Sequence, residues 1–143
     1  MPALVDTNVL VYRFDPREPT KRAIATKILR KGVVGDQVRL SHQSIVEFVA
    51  AVTRPIRSGP ALLSQDDARR EAEELLGQFV VLYPDDRLVR TALRGMAAYR
   101  LSWYDAHMWA YAEVNGLEQI LSEDFQHGRL YGSVLAVNPF VRA

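Results

Sequence analysis

Four acids occupy positions where ordinary solvation is a poor explanation for them: Asp6, Glu47, Asp105 and Asp124, separated by 41, 58 and 19 residues. Only folding could bring them together. Asp105 is the most telling, because Trp103, Tyr104, Ala106, Met108, Trp109, Ala110, Tyr111 and Ala112 surround it on a segment that reads as a helix apolar almost all round. Such a helix is expected to be buried, and the segment has no Lys or Arg to pair with the carboxylate, leaving His107 as its nearest ionisable neighbour. A bound cation would resolve that cost. Gathered carboxylates in a chain without cysteine suit a hard divalent ion, Mg²⁺ or Mn²⁺, which takes oxygen ligands and keeps some of its waters. The absence of cysteine also excludes a thiolate-bound zinc or iron–sulfur site, a cysteine nucleophile and a disulfide framework. His42, His107 and His127 lie far apart without zinc-binding spacing, and they read as surface or packing residues.

Each acid also has a purely structural reading. Ser44-x-x-Glu47 and Ser102-x-x-Asp105 match a capping box or its shorter acidic variant. Asp6 can cap the helix that begins near Asn8, and Asp124 can be a turn acid.

The elements that must position these residues follow from hydrophobic periodicity. Ala3-Leu4-Val5 reads as a strand ending at Asp6, with a helix starting in Thr7-Asn8. A second helix spans about Thr20 to Lys31, closed by Gly32 and Gly35, and a second strand covers Val38-Arg39-Leu40. Ser41 to Thr53 is expected as a helix with Ile45, Val46, Phe48, Val49 and Val52 on its apolar side, stopping before Pro55. Residues 54–64 read as a loop. A helix from Ser64 through Leu76, a strand at Phe79-Val80-Val81-Leu82, and a helix from Asp85 to Arg100 with Leu88, Val89, Ala92, Leu93 and Met96 inward come next. Ser102 caps a helix running to about Asn115-Gly116; Ile120-Leu121 and Val134-Leu135-Ala136-Val137 are further strands. Strands separated by helices predict an α/β fold with a mainly parallel sheet. In such a sheet the functional crevice lies at the carboxyl ends of the strands, the rim to which all four acids map.

The 143 residues, 48% of them hydrophobic and 24% charged, are expected to form a single domain over 1–143, large enough to bury its own core. Short apolar runs and a non-basic start point away from a membrane span or secretory signal. The formal charge is only +1, yet setting the four acids aside leaves 18 basic residues against 13 acids. The near-neutral total therefore hides a moderately basic body around an acidic pocket. Fifteen of the basic residues are arginine. Arg87, Arg90 and Arg94 fall on one helical face, and Arg54 with Arg57 lies just beyond the Glu47 helix; a solvated surface or phosphate contacts would explain either group.

Four segments together resemble the PIN-domain ribonucleases, in particular the toxins of VapBC-type toxin–antitoxin pairs: Leu4-Val5-Asp6-Thr7-Asn8-Val9-Leu10, Ser44-Ile45-Val46-Glu47-Phe48, Ser102-Trp103-Tyr104-Asp105-Ala106 and Leu121-Ser122-Glu123-Asp124-Phe125. They run in the family order and cover nearly the whole chain. The resemblance implies a three-layer α/β/α PIN-like domain in which Asp6, Glu47, Asp105 and Asp124 hold divalent metal and carry catalysis, with no organic cofactor. Asn8 and Ser122 match positions that shape the site, and Glu123 adjoins Asp124 as an alternative ligand. It further implies a cytoplasmic Mg²⁺- or Mn²⁺-dependent endoribonuclease that cuts RNA with metal-activated water, leaving a 5′-phosphate. The partners implied are RNA, held in part by Arg54 and Arg57, and a cognate antitoxin in a homodimer or hetero-oligomer. Two rivals are a haloacid-dehalogenase-like phosphohydrolase and a catalytically silent PIN-like binding module. The first needs a second acid two residues after Asp6, where Asn8 stands; the second gives no chemical reason to keep four acids.

Overall fold

A computed structural model describes residues 2–57 and 59–141. The chain runs β1 (Ala3–Val5), α1 (Thr7–Tyr12), α2 (Pro19–Gly35), β2 (Val38–Ser41), α3 (His42–Thr53), α4 (Gln65–Gln78), β3 (Val80–Leu82), α5 (Asp86–Tyr99), α6 (Trp103–Val114), β4 (Gln119–Leu121), β5 (Leu130–Tyr131) and β6 (Val134–Val137). These strands form one sheet in the order β3-β2-β1-β4-β6-β5. All neighbours are parallel except β5, which runs antiparallel to β6.

Alternation along β1 divides the core between the two faces of this sheet. Leu4 packs with Leu88, Ala92, Met108, Trp109 and Ile120, so α5 and α6 cover one face. Val5 packs with Val9, Leu10, Leu29, Phe48 and Leu75, so α1 to α4 cover the other. Helices on both faces of a mainly parallel sheet make the three-layer α/β/α arrangement. From β1 the chain steps outward to β2 and β3, then returns to place β4 on the other side of β1. The carboxyl ends of β1 and β4 therefore flank the point where the winding reverses, the usual place for a ligand crevice in an open α/β sheet.

Several sequence expectations need correction. Gly32 does not close α2, which continues to Gly35 and is capped by Asp36 in a left-handed conformation at φ 52°. Gly32 is there for packing instead: a Cβ would sit 2.4 Å from Val38 Cγ2. Gly95 serves the same purpose on the other face, where a Cβ would sit 2.6 Å from the Trp109 ring. Val46, Val89 and Leu93, expected inward, are exposed; the buried stripes are Ser44/Phe48/Val52 on α3 and Leu88/Thr91/Ala92/Gly95 on α5. Strand β5 was not anticipated, because two residues show no periodicity. The Gly132-Ser133 pair between Tyr131 and Val134 is its signal, since Gly132 at φ 61° closes a two-residue hairpin. No helix among the described residues is long and apolar enough to cross a membrane.

Candidate active site

Asp6 leaves the end of β1 and caps α1, accepting the Thr7 backbone N–H at 2.7 Å. The structural reading of Asp6 as a helix cap therefore holds. Only 4% of Asp6 is exposed, and its second oxygen accepts the Ser122 hydroxyl at 2.6 Å. Its backbone N–H donates to Leu121 O, which ties the β1 and β4 exits together. Burial pushes the Asp6 carboxyl up to about 7, against the lowering effect of its Ser122 and Thr7 bonds and with a further push from Asp124 and Asp105. No lysine or arginine pairs with it among the described residues.

Asn8, two residues on in the first turn of α1, donates its amide to Ser122 Oγ at 3.3 Å and to Asp124 Oδ2 at 3.1 Å. Two acceptors on one side fix the amide's orientation and leave the Asn8 carbonyl oxygen buried without a partner. Ser122 is the hub of this corner, because its hydroxyl also accepts the Asp124 backbone N–H at 3.0 Å. Asp124 itself is exposed at the mouth.

Ser41 caps α3, its hydroxyl accepting the Ser44 N–H, so the capping-box reading of Ser44-x-x-Glu47 is displaced by one turn. Ser44 is buried against Ser41 and Met108. Glu47 lies in the second turn, where Oε1 accepts the Thr7 hydroxyl at 2.7 Å and Oε2 accepts Gln43 at 3.4 Å. Ser102 does cap α6, accepting the Asp105 N–H at 3.1 Å. Asp105 is half-buried rather than enclosed, since Trp103 and Tyr104 in the same turn are 40% and 68% exposed. Its pKa is raised by desolvation first, then by Asp124 and Glu47, while Ser102 lowers it.

These couplings place Asp6, Glu47, Asp105 and Asp124 at one rim. As they stand, no three Asp, Glu or His side chains among the described residues form a group able to enclose an ion. The inner oxygens of Asp6 and Glu47 are occupied by protein donors instead.

Glu123 parts from its neighbour. It accepts the Tyr12 hydroxyl at 2.5 Å and the Lys21 ammonium at 3.0 Å, and Lys21 also donates to Tyr12 at 3.2 Å. Arg54 and Arg57 are exposed beyond α3 and line neither cavity at the acids. One of these cavities, about 410 Å³, runs from Glu47 past Val46, Val89, Trp103 and Tyr104. The other, about 380 Å³, lies between Thr7, Asn8, Asp124 and the α1–α2 turn at Asp15 and Arg17. Larger clefts along α2 contain none of the four acids. The α1–α2 turn was missed by sequence reading, although Asp15-Pro16-Arg17 has turn chemistry.

The strand order, with Asp6 and Asp124 joined through Ser122 at the point where the winding reverses, defines a doubly wound α/β domain with acids at its switch point. The chain belongs to the PIN-domain family, whose model matches residues 3–132. Its fold is shared by FitAB bound to a DNA fragment (18% identity, 99% of this chain and 97% of that chain, TM-score 0.69). It is also shared by a toxin–antitoxin complex from Klebsiella pneumoniae (18% identity, 96% and 97%, TM-score 0.66). A third similar structure is Mycobacterium tuberculosis VapC20, described as a sarcin–ricin loop-cleaving toxin (17% identity, 82% and 86%, TM-score 0.56). No curated protein matches the sequence.

Proposed function

We propose that this protein is a divalent-metal-dependent endoribonuclease, the toxin of a toxin–antitoxin pair acting in the cytoplasm. The observation that carries the reading is Asp6: a carboxylate 4% exposed, without a cationic partner, at the switch point beside Asp105 and Asp124. The residues suit a hard cation in chemistry, since every candidate donor is a carboxylate or the orphaned Asn8 carbonyl oxygen. Asp6, Glu47, Asp105 and Asp124 would hold Mg²⁺ or Mn²⁺. A bound cation would offset the mutual repulsion of these carboxylates. When bound, the ion supplies water activation and neutralisation of charge developing at phosphorus.

The chain's own residues prepare this. Ser122 and the Thr7 N–H hold Asp6 in one orientation, Thr7 and Gln43 hold Glu47, and Asn8 steers Asp124. The toxin role and the antitoxin partner rest on family membership and on the fold shared with the Klebsiella complex; the RNA substrate draws support from VapC20. A homodimer or toxin–antitoxin hetero-oligomer belongs to the same reading. The phosphohydrolase alternative is disfavoured because Asp6, its required nucleophile, is buried with both oxygens engaged.

The test is digestion of RNA by the purified chain, freed of any antitoxin, with Mg²⁺, Mn²⁺ or chelator. Metal-dependent cuts leaving 5′-phosphates are expected, and Asp105→Asn should lose roughly 100-fold or more in rate if its charge is needed only when the ion is gripped for reaction. Undiminished cleavage by Asp105→Asn, or by the parent chain in chelator, would refute the proposal.

A further inference from the structure

The cavity between α1 and the Asp124 turn is lined by the carboxylates of Asp15, Glu123 and Asp124 and by one cation, Arg17, that the metal site does not use. Asp15 is buried, and its carboxylate is given over to Arg17: Oδ1 accepts the Arg17 backbone N–H at 3.0 Å and Nε at 2.9 Å, while Oδ2 accepts Nη2 at 2.8 Å. The guanidinium is thereby pinned in a fork on a fixed turn. Its side chain is still 49% exposed and lines the same cavity as Thr7, Asn8 and Asp124. Of five guanidinium N–H groups, two are taken, and Nη1 has no hydrogen-bond partner among the described residues.

Lys21, the other cation nearby, is spent differently. Its ammonium is bound to Glu123 and Tyr12 and rests 4.8 Å from the Tyr12 ring centroid. Among the described residues, Arg17 alone combines a locked orientation, open donors and direct access to this cavity. A planar fork suits phosphate, and an arginine already held in place loses less conformational freedom when it binds one. A polyanion approaching four carboxylates also needs a positive contact beside them.

We propose that this cavity is the subsite for the nucleotide adjoining the scissile phosphate of a single-stranded RNA, with Arg17 anchoring that nucleotide's phosphate. The assignment rests on the ribonuclease reading above. Asp15 is then a positioning residue for Arg17.

The test uses the full chain and a single-stranded RNA oligonucleotide, in two arms. Binding is measured against salt in an Asp105→Asn background with Mg²⁺, so the probe stays intact. Arg17→Gln should reduce the log–log salt slope by about 0.7, the loss of one single-strand phosphate contact, while Arg17→Lys keeps the slope. In the active chain, Arg17→Gln should raise KM about tenfold, with kcat and Mn²⁺ affinity nearly unchanged. Asp15→Asn should raise KM in the same direction with Arg17 still present. An unchanged slope and KM in Arg17→Gln would overturn the assignment, as would lowered thermal stability of that variant without any change in slope. If the parent chain cuts RNA, such a result removes only this subsite; if it neither binds nor cuts RNA, the ribonuclease reading fails first and takes the subsite with it.

Discussion

The Ser122 hydroxyl donates to Asp6 Oδ2 at 2.6 Å, joining residues 116 positions apart across the exits of two adjacent parallel strands. The same oxygen accepts from Asn8 and from the Asp124 backbone, so one buried side chain sets the positions of two acids. Ser122→Ala removes the donor to Asp6 and leaves the Asp124 N–H unpaired at once. Loss of a bond that orients a metal ligand is worth on the order of tenfold or more in metal affinity. Calorimetric titration with Mn²⁺ should show that weakening, together with stability lower by about 1–3 kcal/mol. Unchanged affinity and stability would mean that Ser122 merely fills space.

The raised pKa of Asp6 makes the metal-free chain sensitive to pH. Burial lifts its folded carboxyl to about 7 from the 3.8 of a free aspartate, so between those limits the folded state binds more protons than the unfolded one. The stabilising contribution is complete below the unfolded value and is lost as pH rises through the folded one. Asp105, shifted upward as well, acts in the same direction. Asp15, lowered chiefly by its Arg17 hydrogen bond, has the opposite linkage, but its effect lies below the ordinary carboxylate range. Urea unfolding in chelator should therefore show a loss of order a few kcal/mol between pH 5 and pH 8. Saturating Mg²⁺ should offset that loss at the alkaline end, because an ion bound only by the folded chain stabilises it. Stability that is flat or rises with pH in chelator would contradict this account of Asp6.

The parts of this molecule written in local pattern could be read from the chain. Strands β1, β2, β4 and β6 are short apolar runs, and the rim acids follow strand ends or helix starts, so the layer architecture and the four acids were accessible. What failed depended on contacts between distant segments. Gly32 looks like a helix end until Val38 is seen lying against it. Val46, Val89 and Leu93 fit an apolar stripe by spacing, yet the narrower faces that reach the sheet are set by Phe48 and Leu88. The apolar helix around Asp105 implies burial, but its position in the first turn leaves it only half-buried, and the deeper burial falls on Asp6.

Neighbouring acids after β4 are separated by their partners, and within the proposed metal site we take Asp124 rather than Glu123 as the ligand to test. Asp124 is held by Asn8 and acts electrostatically on both Asp6 and Asp105, whereas Glu123 is closed by Tyr12 and Lys21. The Lys21–Glu123 pair is partly exposed, so its contribution to stability is of order 1 kcal/mol or less. Glu123→Gln keeps an acceptor for the Tyr12 hydroxyl and gives up the charge facing Lys21. It should leave Mn²⁺ affinity within about threefold of the parent and cost about 1 kcal/mol in urea unfolding. Asp124→Asn should do the reverse, weakening Mn²⁺ binding by roughly tenfold or more with little loss of stability, because a carboxylate is replaced where a cation is expected. Titration of both variants with Mn²⁺ distinguishes the two acids. If Glu123→Gln abolishes metal binding while Asp124→Asn preserves it, the ligand assignment after β4 must be exchanged.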